Sequence, residues 1–142
     1  MTDLTDMTDI ALRDVFADLF THDLHFAPGG AIDAHERRFT DGDADWRAAI
    51  FHAETNDDVH PDLWEKHPLA DEVVCCLNGA LCVYLRAGRP DMPDDRVRLL
   101  PGQAAVVPRD RWHRLEVDQP TDLMAITVRQ GTRHEKRTPA AI

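Results

Sequence analysis

Four side chains of the types that bind divalent metals lie in two short stretches of this sequence. Glu65, His67 and Glu72 fall within WEKHPLADEVVCCLNG, and His113 falls within GQAAVVPRDRWHRLEV. Two imidazoles and two carboxylates suit iron, manganese, nickel or zinc as the divalent ion. The residue types therefore indicate a metal site made by these four side chains, in which the identity of the metal is left open.

Alternation along β-strands predicts that the four side chains face inwards. Successive side chains of a strand point to opposite faces, so Glu65 and His67 share one face of a short strand. In the next strand Glu72 begins a face that continues with valine and cysteine. A carboxylate in that position must be paired, protonated or bound to a metal. His113 likewise begins an apolar face in its own strand.

A second interpretation leaves the metal out. Glu65 would then turn outwards to Arg109 or Arg111, and the two histidines would be hydrogen-bonded polar residues in a cavity. Without a metal, two carboxylates about 4 Å apart would repel by roughly 4 kcal/mol at an effective dielectric of 20. A further strand is predicted from Trp46 to Glu54, and His52 lies on a face of it that could line the same cavity.

The first stretch resembles a known motif. In the cupin superfamily the first motif usually reads G-x5-H-x-H-x(3,4)-E-x6-G. This sequence has Glu65-x-His67-x4-Glu72-x6-Gly79, which keeps the spacing and has Glu in place of the first His.

The second stretch resembles the second cupin motif, which usually reads G-x5-P-x-G-x2-H-x3-N. Gly102, Pro108 and His113 match it at the expected spacing, while Asp110 and Val117 depart from it at positions that do not bind metal. Matched spacing in both motifs identifies the chain as similar to cupins, which are small β-barrels that hold a metal between their sheets.

The resemblance covers about residues 46–130 and leaves the function open between two classes. One is a metal-dependent enzyme acting on a small molecule by oxygenase, isomerase or lyase chemistry. The other is a cupin that binds a small molecule without catalysis, because this fold hosts enzymes, binders and regulators alike. A regulatory accessory domain is disfavoured, since the sequence has no DNA-binding helix pair or basic patch.

Composition excludes several partners. The 142 residues suit one domain, and 16 basic against 26 acidic residues give a net charge of −10. Nucleic acid and anionic membranes need a basic surface, so neither is expected as a partner. No apolar run is long enough to span a membrane, and the acidic N-terminus is unlike a signal peptide. Together with three cysteines, expected to be free thiols, this predicts a cytoplasmic location.

The remaining pattern predicts an all-β fold, an antiparallel β-sandwich closed as a jelly-roll barrel with a short N-terminal helix. Residues 1–45 would form the helix and an irregular segment that pack on the barrel. Residues 46–130 would form the barrel itself, and residues 131–142 a polar tail.

Two local features complete this prediction. An amphipathic helix would begin at Thr8 or Asp9 and cover one side of the barrel. Asn78-Gly79 is a strong signal for a hairpin turn, with Ala80 to Leu85 as the returning strand.

A homodimer is also expected. Val73 to Leu77 and Ala104 to Val107 are apolar at successive positions, so both faces of these strands are apolar. The outer face of a sheet built from them needs a cover, which a second copy of the chain would supply.

Overall fold

The computed structural model describes residues 15–38 and 44–138, which form two antiparallel sheets facing each other. The strands are β1 His22–Phe26, β2 Ile32–Glu36, β3 Trp46–Ala53, β4 Leu63–Lys66, β5 Glu72–Asn78, β6 Leu81–Leu85, β7 Asp95–Leu99, β8 Ala104–Val107, β9 His113–Glu116, β10 Thr121–Val128 and β11 Arg133–Lys136. The larger sheet has the order β2-β1-β3-β10-β5-β8, and the smaller has the order β11-β4-β9-β6-β7. The predicted all-β antiparallel sandwich is confirmed.

An apolar core fills the space between the two sheets at one end. It is built from alternate residues of strands in both sheets, because alternation gives each strand one buried face. The buried members are Ala53, Val74, Cys76, Leu81, Val83, Leu99, Val107, Val117 and Leu123. Along β5 the inward face runs from Glu72 through Val74 to Cys76, all less than 5% exposed. The polar start of this strand therefore lies beyond the apolar core.

The closed barrel and the hairpin at Asn78-Gly79 are both wrong. The strands form two separate sheets, and β5 and β6 belong to different ones. The chain therefore crosses between the sheets at Gly79, which has a φ of +86°. A Cβ there would collide with the Pro120 carbonyl oxygen and with Thr121. An Asn-Gly pair indicates a residue with a positive φ. Both a hairpin turn and this crossing between sheets use such a residue, so the pair alone does not distinguish them.

The predicted N-terminal helix is wrong where the structure describes it. Residues 16–21 are irregular chain and a turn, in which the Asp18 carbonyl oxygen accepts hydrogen bonds from the backbone N–H groups of Thr21 and His22. The Asp18 carboxylate also accepts from the N–H of Phe20. Aspartate competes in this way with helix formation, so the chain turns directly into β1. Residues 8–14, where the helix would begin, lie outside the described residues.

Strands from before residue 46 and after residue 130 extend the two sheets. β1 and β2 form a hairpin that pairs with β3 and widens the larger sheet. β11 pairs with β4 at the edge of the smaller sheet. These additions matter for the site, because β1 and β11 each bring charged side chains to the space between the sheets.

All three cysteines are free thiols, as expected from the sequence. Cys76 is buried in the core, and Cys75 and Cys82 are half-buried. In the described part of the chain, no helix is long and apolar enough to cross a membrane.

Candidate metal centre

Three strands from both sheets bring the four predicted ligands together. Glu65 lies in β4 directly opposite His113 at the start of β9, and His67 follows β4 immediately. Glu72 begins β5 in the facing sheet. The cluster therefore bridges the two sheets, beyond the end of the apolar core.

The ligand atoms of the cluster are close together. Nε2 of His67 lies 3.0 Å from Oε1 of Glu65 and 3.1 Å from Oε2 of Glu72. Nε2 of His113 lies 2.9 Å from Oε1 of Glu72. One ligand atom from each residue lies within 4.8 Å of all the others. Two ligand atoms on opposite sides of a first-row transition-metal ion are about 4.2 Å apart. The largest separation in the cluster would therefore need to shorten by roughly half an ångström for all four atoms to coordinate one ion.

The other nitrogen of each imidazole is held from outside the cluster. His113 Nδ1–H donates to the carbonyl oxygen of Arg111, at 3.0 Å. His67 Nδ1 lies 2.8 Å from the hydroxyl oxygen of Thr132, and that hydroxyl itself donates to the carbonyl oxygen of Arg129. The hydroxyl must then accept from Nδ1–H of His67. Both rings are thus fixed with Nε2 facing the carboxylates, which is how metal-binding histidines are usually oriented.

Electrostatics within the cluster favour the charged form of each of the four side chains. Burial opposes the charge on His67, but the carboxylates of Glu65 and Glu72 outweigh it and raise its pKa to about 9. Burial likewise opposes charge on His113 and on Glu72, yet their mutual contact raises the pKa of the imidazole and lowers the pKa of the carboxyl. An imidazolium at each histidine would balance the two carboxylates. A divalent cation carries the same charge as those two protons and can exchange for them.

A buried polar atom tests whether a metal fits. His67 is 2% exposed, and its Nε2 has no hydrogen-bond partner within the described ranges, although carboxylate oxygens of Glu65 and Glu72 lie close to it. A buried nitrogen without a hydrogen bond is costly, and a metal ion between nitrogen and carboxylates would satisfy it. The donor set and its geometry fit a divalent transition metal.

One carboxylate oxygen of Glu65 faces the cluster, and the other oxygen faces two basic side chains. Its Oε2 accepts from Nε2–H of His134 at 2.8 Å and lies 3.4 Å from the guanidinium of Arg129. Burial raises the pKa of Glu65, but His134, His67 and Arg129 together lower that pKa well below its usual range. The alternative in which Glu65 turns to Arg109 or Arg111 is wrong.

The sequence makes His134 only a weak candidate, because it lies in a stretch that reads as a polar tail, yet the structure places it beside Glu65. It belongs to β11, where it is paired in register with Glu65 of β4. The only local signal is its place in a short alternating segment, RHEK, in a stretch that reads as a polar tail. Its contact with Glu65 depends on how β11 pairs with β4.

The cluster opens into a cavity of about 490 Å³ between the sheets. Much of its wall is apolar and small, and is formed by Ala49, Phe51, Ala53, Val74, Leu123 and Ala125. His52 also contributes to the lining, but its side chain is 47% exposed, and its ring nitrogens lie 2.7 Å from Asp122 and 2.8 Å from Glu54. Glu65, Glu72 and His113 therefore border a space that can hold a small molecule.

No protein-family model matches the chain, and neither does any curated protein. Three solved structures illustrate its similarities. A conserved protein with a double-stranded β-helix domain from Klebsiella pneumoniae has a TM-score of 0.50 at 12% identity, covering 67% of this chain and 72% of that one. A cupin-2 domain containing protein from Shewanella frigidimarina has a TM-score of 0.47 at 16% identity, covering 91% and 95%. Oxalate decarboxylase from Bacillus subtilis has a TM-score of 0.47 at 18% identity, covering 64% of this chain and 23% of the decarboxylase.

At these identities the likeness concerns the fold alone. The double-stranded β-helix is the fold of the cupins, and two facing antiparallel sheets are its architecture. The chain has the cupin fold, as its two motifs predict.

Proposed function

We propose that this cupin-fold chain binds one divalent transition metal through His67, Glu72 and His113, with Glu65 as a fourth ligand, and acts on a small molecule in the adjoining cavity. The observation that carries the proposal is the orientation of both imidazoles. Each Nδ1 is engaged outside the cluster, and each Nε2 faces the carboxylates. This arrangement leaves two neutral nitrogen ligands available once the protons on Nε2 depart.

The chemistry proposed is of the oxygenase, isomerase or lyase type. Iron, manganese, nickel or zinc would supply a Lewis acid or an oxygen-activating centre beside the substrate. The chain's own residues orient the site: Thr132 and the Arg111 carbonyl hold the imidazoles, while His134 and Arg129 hold Glu65. The apolar wall of the cavity excludes water from the face of the bound molecule.

A second candidate is a cupin that binds a small molecule without catalysis. One observation favours it. The imidazoles and carboxylates contact one another directly, at 2.9 to 3.1 Å, so the cluster can persist as a set of ion pairs in the cavity without any metal when both imidazoles are protonated.

Metal analysis of the purified protein separates the two candidates. After expression with added iron, manganese, nickel and zinc, we expect close to one divalent transition metal per chain, measured by inductively coupled plasma mass spectrometry. Protein that stays metal-free under these conditions would exclude the metal-dependent enzyme, and the non-catalytic binder would take its place.

We also propose that the chain forms a homodimer through the outer face of the larger sheet. Ile32, Phe26 and Trp46 are neighbours in register on three strands and are 59%, 36% and 45% exposed. Val106, on the edge strand β8, is 64% exposed. Such a surface is costly in water unless it is covered. We expect sedimentation velocity to show a dimer at micromolar concentration, and a monomer there would contradict this proposal.

A further inference from the structure

One buried arginine in the cavity has more donors than partners. Arg47 lies in β3, is 6% exposed and contributes to the cavity wall. Within residues 15–38 and 44–138 its charged contact is Asp23, with Nη1 and Oδ2 3.6 Å apart, and its buried Nε has no hydrogen-bond partner. A guanidinium offers five N–H donors. Arg47 is therefore a buried cation with at least one N–H donor, Nε–H, that no described residue accepts.

Asp23 does not depend on Arg47 for its charge balance. Nε of Arg37 donates to the Asp23 carboxylate at 2.8 Å. Arg37 also donates to the backbone carbonyl oxygens of Leu19, Phe20 and Ile50, so its donors are used in joining β1, β3 and the chain before β1. Asp23 is thus already neutralised by Arg37. Arg47 is therefore a second cation beside Asp23, and that carboxylate alone does not balance its positive charge.

The register of the larger sheet places Arg47 across the cavity wall from the candidate metal centre. Arg47 is paired with Thr127 of β10, and Ile126 beside it is paired with Val73 of β5. Continuing that register by one residue brings Thr127 opposite Glu72. Two strand spacings separate Arg47 from Glu72, which is about 10 Å between their Cα atoms.

A small molecule fits between these two residues. The wall near them is formed by small or apolar side chains, among them Ala49, Ala125 and Phe51. One unmatched guanidinium suits a single carboxylate, whose two oxygens fit the guanidinium fork. A phosphate carries more charge than one arginine balances.

We infer that the cavity binds a small carboxylate with a short apolar body, whose carboxylate group pairs with Arg47 while its other end faces Glu72 and His113. This inference rests on the proposed function for its reacting end, but the pairing with Arg47 does not require the metal. It names the substrate class as a monocarboxylate of a few carbon atoms.

The test compares hexanoate with hexanamide, which has the same apolar body and no charge. Binding is measured by isothermal titration calorimetry on metal-free protein and on manganese-loaded protein. We expect hexanoate to bind at least about tenfold more tightly than hexanamide in both states, because hydrogen bonds between charged groups are about twice as strong as neutral ones. Hexanamide binding as tightly as hexanoate would overturn the inference without any variant.

Arg47→Gln provides the second arm of the test. Its fold should survive because Asp23 keeps Arg37 as its partner. We expect Arg47→Gln to weaken hexanoate binding about tenfold or more and to leave hexanamide binding unaltered. Arg89→Gln is the matched control, since that side chain is 72% exposed and its ion pair among the described residues is with Asp91 at the surface.

The outcomes distinguish this inference from the proposed function. If hexanoate binding is lost on metal removal and unaffected by Arg47→Gln, the carboxylate binds the metal, and the inference fails while the proposed function stands. If the protein never takes up metal but hexanoate binding still depends on Arg47, the proposed function fails and the carboxylate site stands.

Discussion

His113→Ala is expected to lower the affinity for a divalent transition metal by about a hundredfold or more. Loss of an outer partner of a ligand commonly lowers affinity by 10- to 100-fold, and loss of the ligand itself should cost at least as much. His113 is one of two imidazoles in the site, and its Nε2 lies 2.9 Å from Glu72. The affinity is measured by competition with a chromophoric chelator at fixed pH, with circular dichroism as a check on folding.

The control is His22→Ala, which removes an imidazole at the start of β1 whose ring forms a hydrogen bond with the Thr21 hydroxyl and does not belong to the cluster. Its metal affinity should equal that of the wild type. Thr132→Val offers a milder variant, because it removes the acceptor of His67 Nδ1–H without touching a ligand. We expect it to weaken binding by about 10- to 100-fold. Unaltered affinity in His113→Ala would show that any bound metal lies elsewhere.

Strand alternation explains how much of the site could be predicted from the sequence. Glu65 and His67 are two residues apart, so a strand must place them on one face whatever its surroundings. Glu72 and His113 each begin a strand whose inward face continues into apolar residues, and both are buried in the structure. The alternation of side chains along a strand and the apolar pattern of its inward face are local properties of the sequence. The inward orientation of these four side chains could therefore be predicted from the sequence alone.

Two basic residues that border the cavity, His134 and Arg47, owe their positions to long-range strand pairing. His134 reaches Glu65 only because β11 lies beside β4. Arg47 faces the cavity because β3 turns its odd-numbered residues inwards, and alanines on both faces of that strand leave its orientation undecided in the sequence. The crossing between sheets at Gly79 could not be predicted for the same reason, since it also depends on long-range strand pairing. A turn signal does not specify which sheet the next strand will join.

Glu65→Gln is expected to lower metal affinity by about 10- to 100-fold and to shift the preference among metals if Glu65 is a direct ligand. Glutamine keeps the size of the side chain but removes its charge, and an amide oxygen is a weaker ligand for a transition metal than a carboxylate. The position of Oε1, 3.0 Å from Nε2 of His67 and 3.9 Å from Nε2 of His113, places it among the other ligand atoms. Affinities for manganese, iron, nickel and zinc are compared by chelator competition.

Glu135→Gln is the matched control for this substitution. Glu135 is also in the smaller sheet, but it is paired in register with Trp64, points away from the cluster and contacts Arg86 at 3.0 Å. Both variants remove one negative charge, and Glu135→Gln measures how much of any loss comes from the change in net charge alone, at a distance from the metal. A loss confined to Glu65→Gln assigns the effect to direct coordination. Equal, small losses would instead make Glu65 a partner of His134 and Arg129, and the centre would then have two histidines and one carboxylate as its ligands.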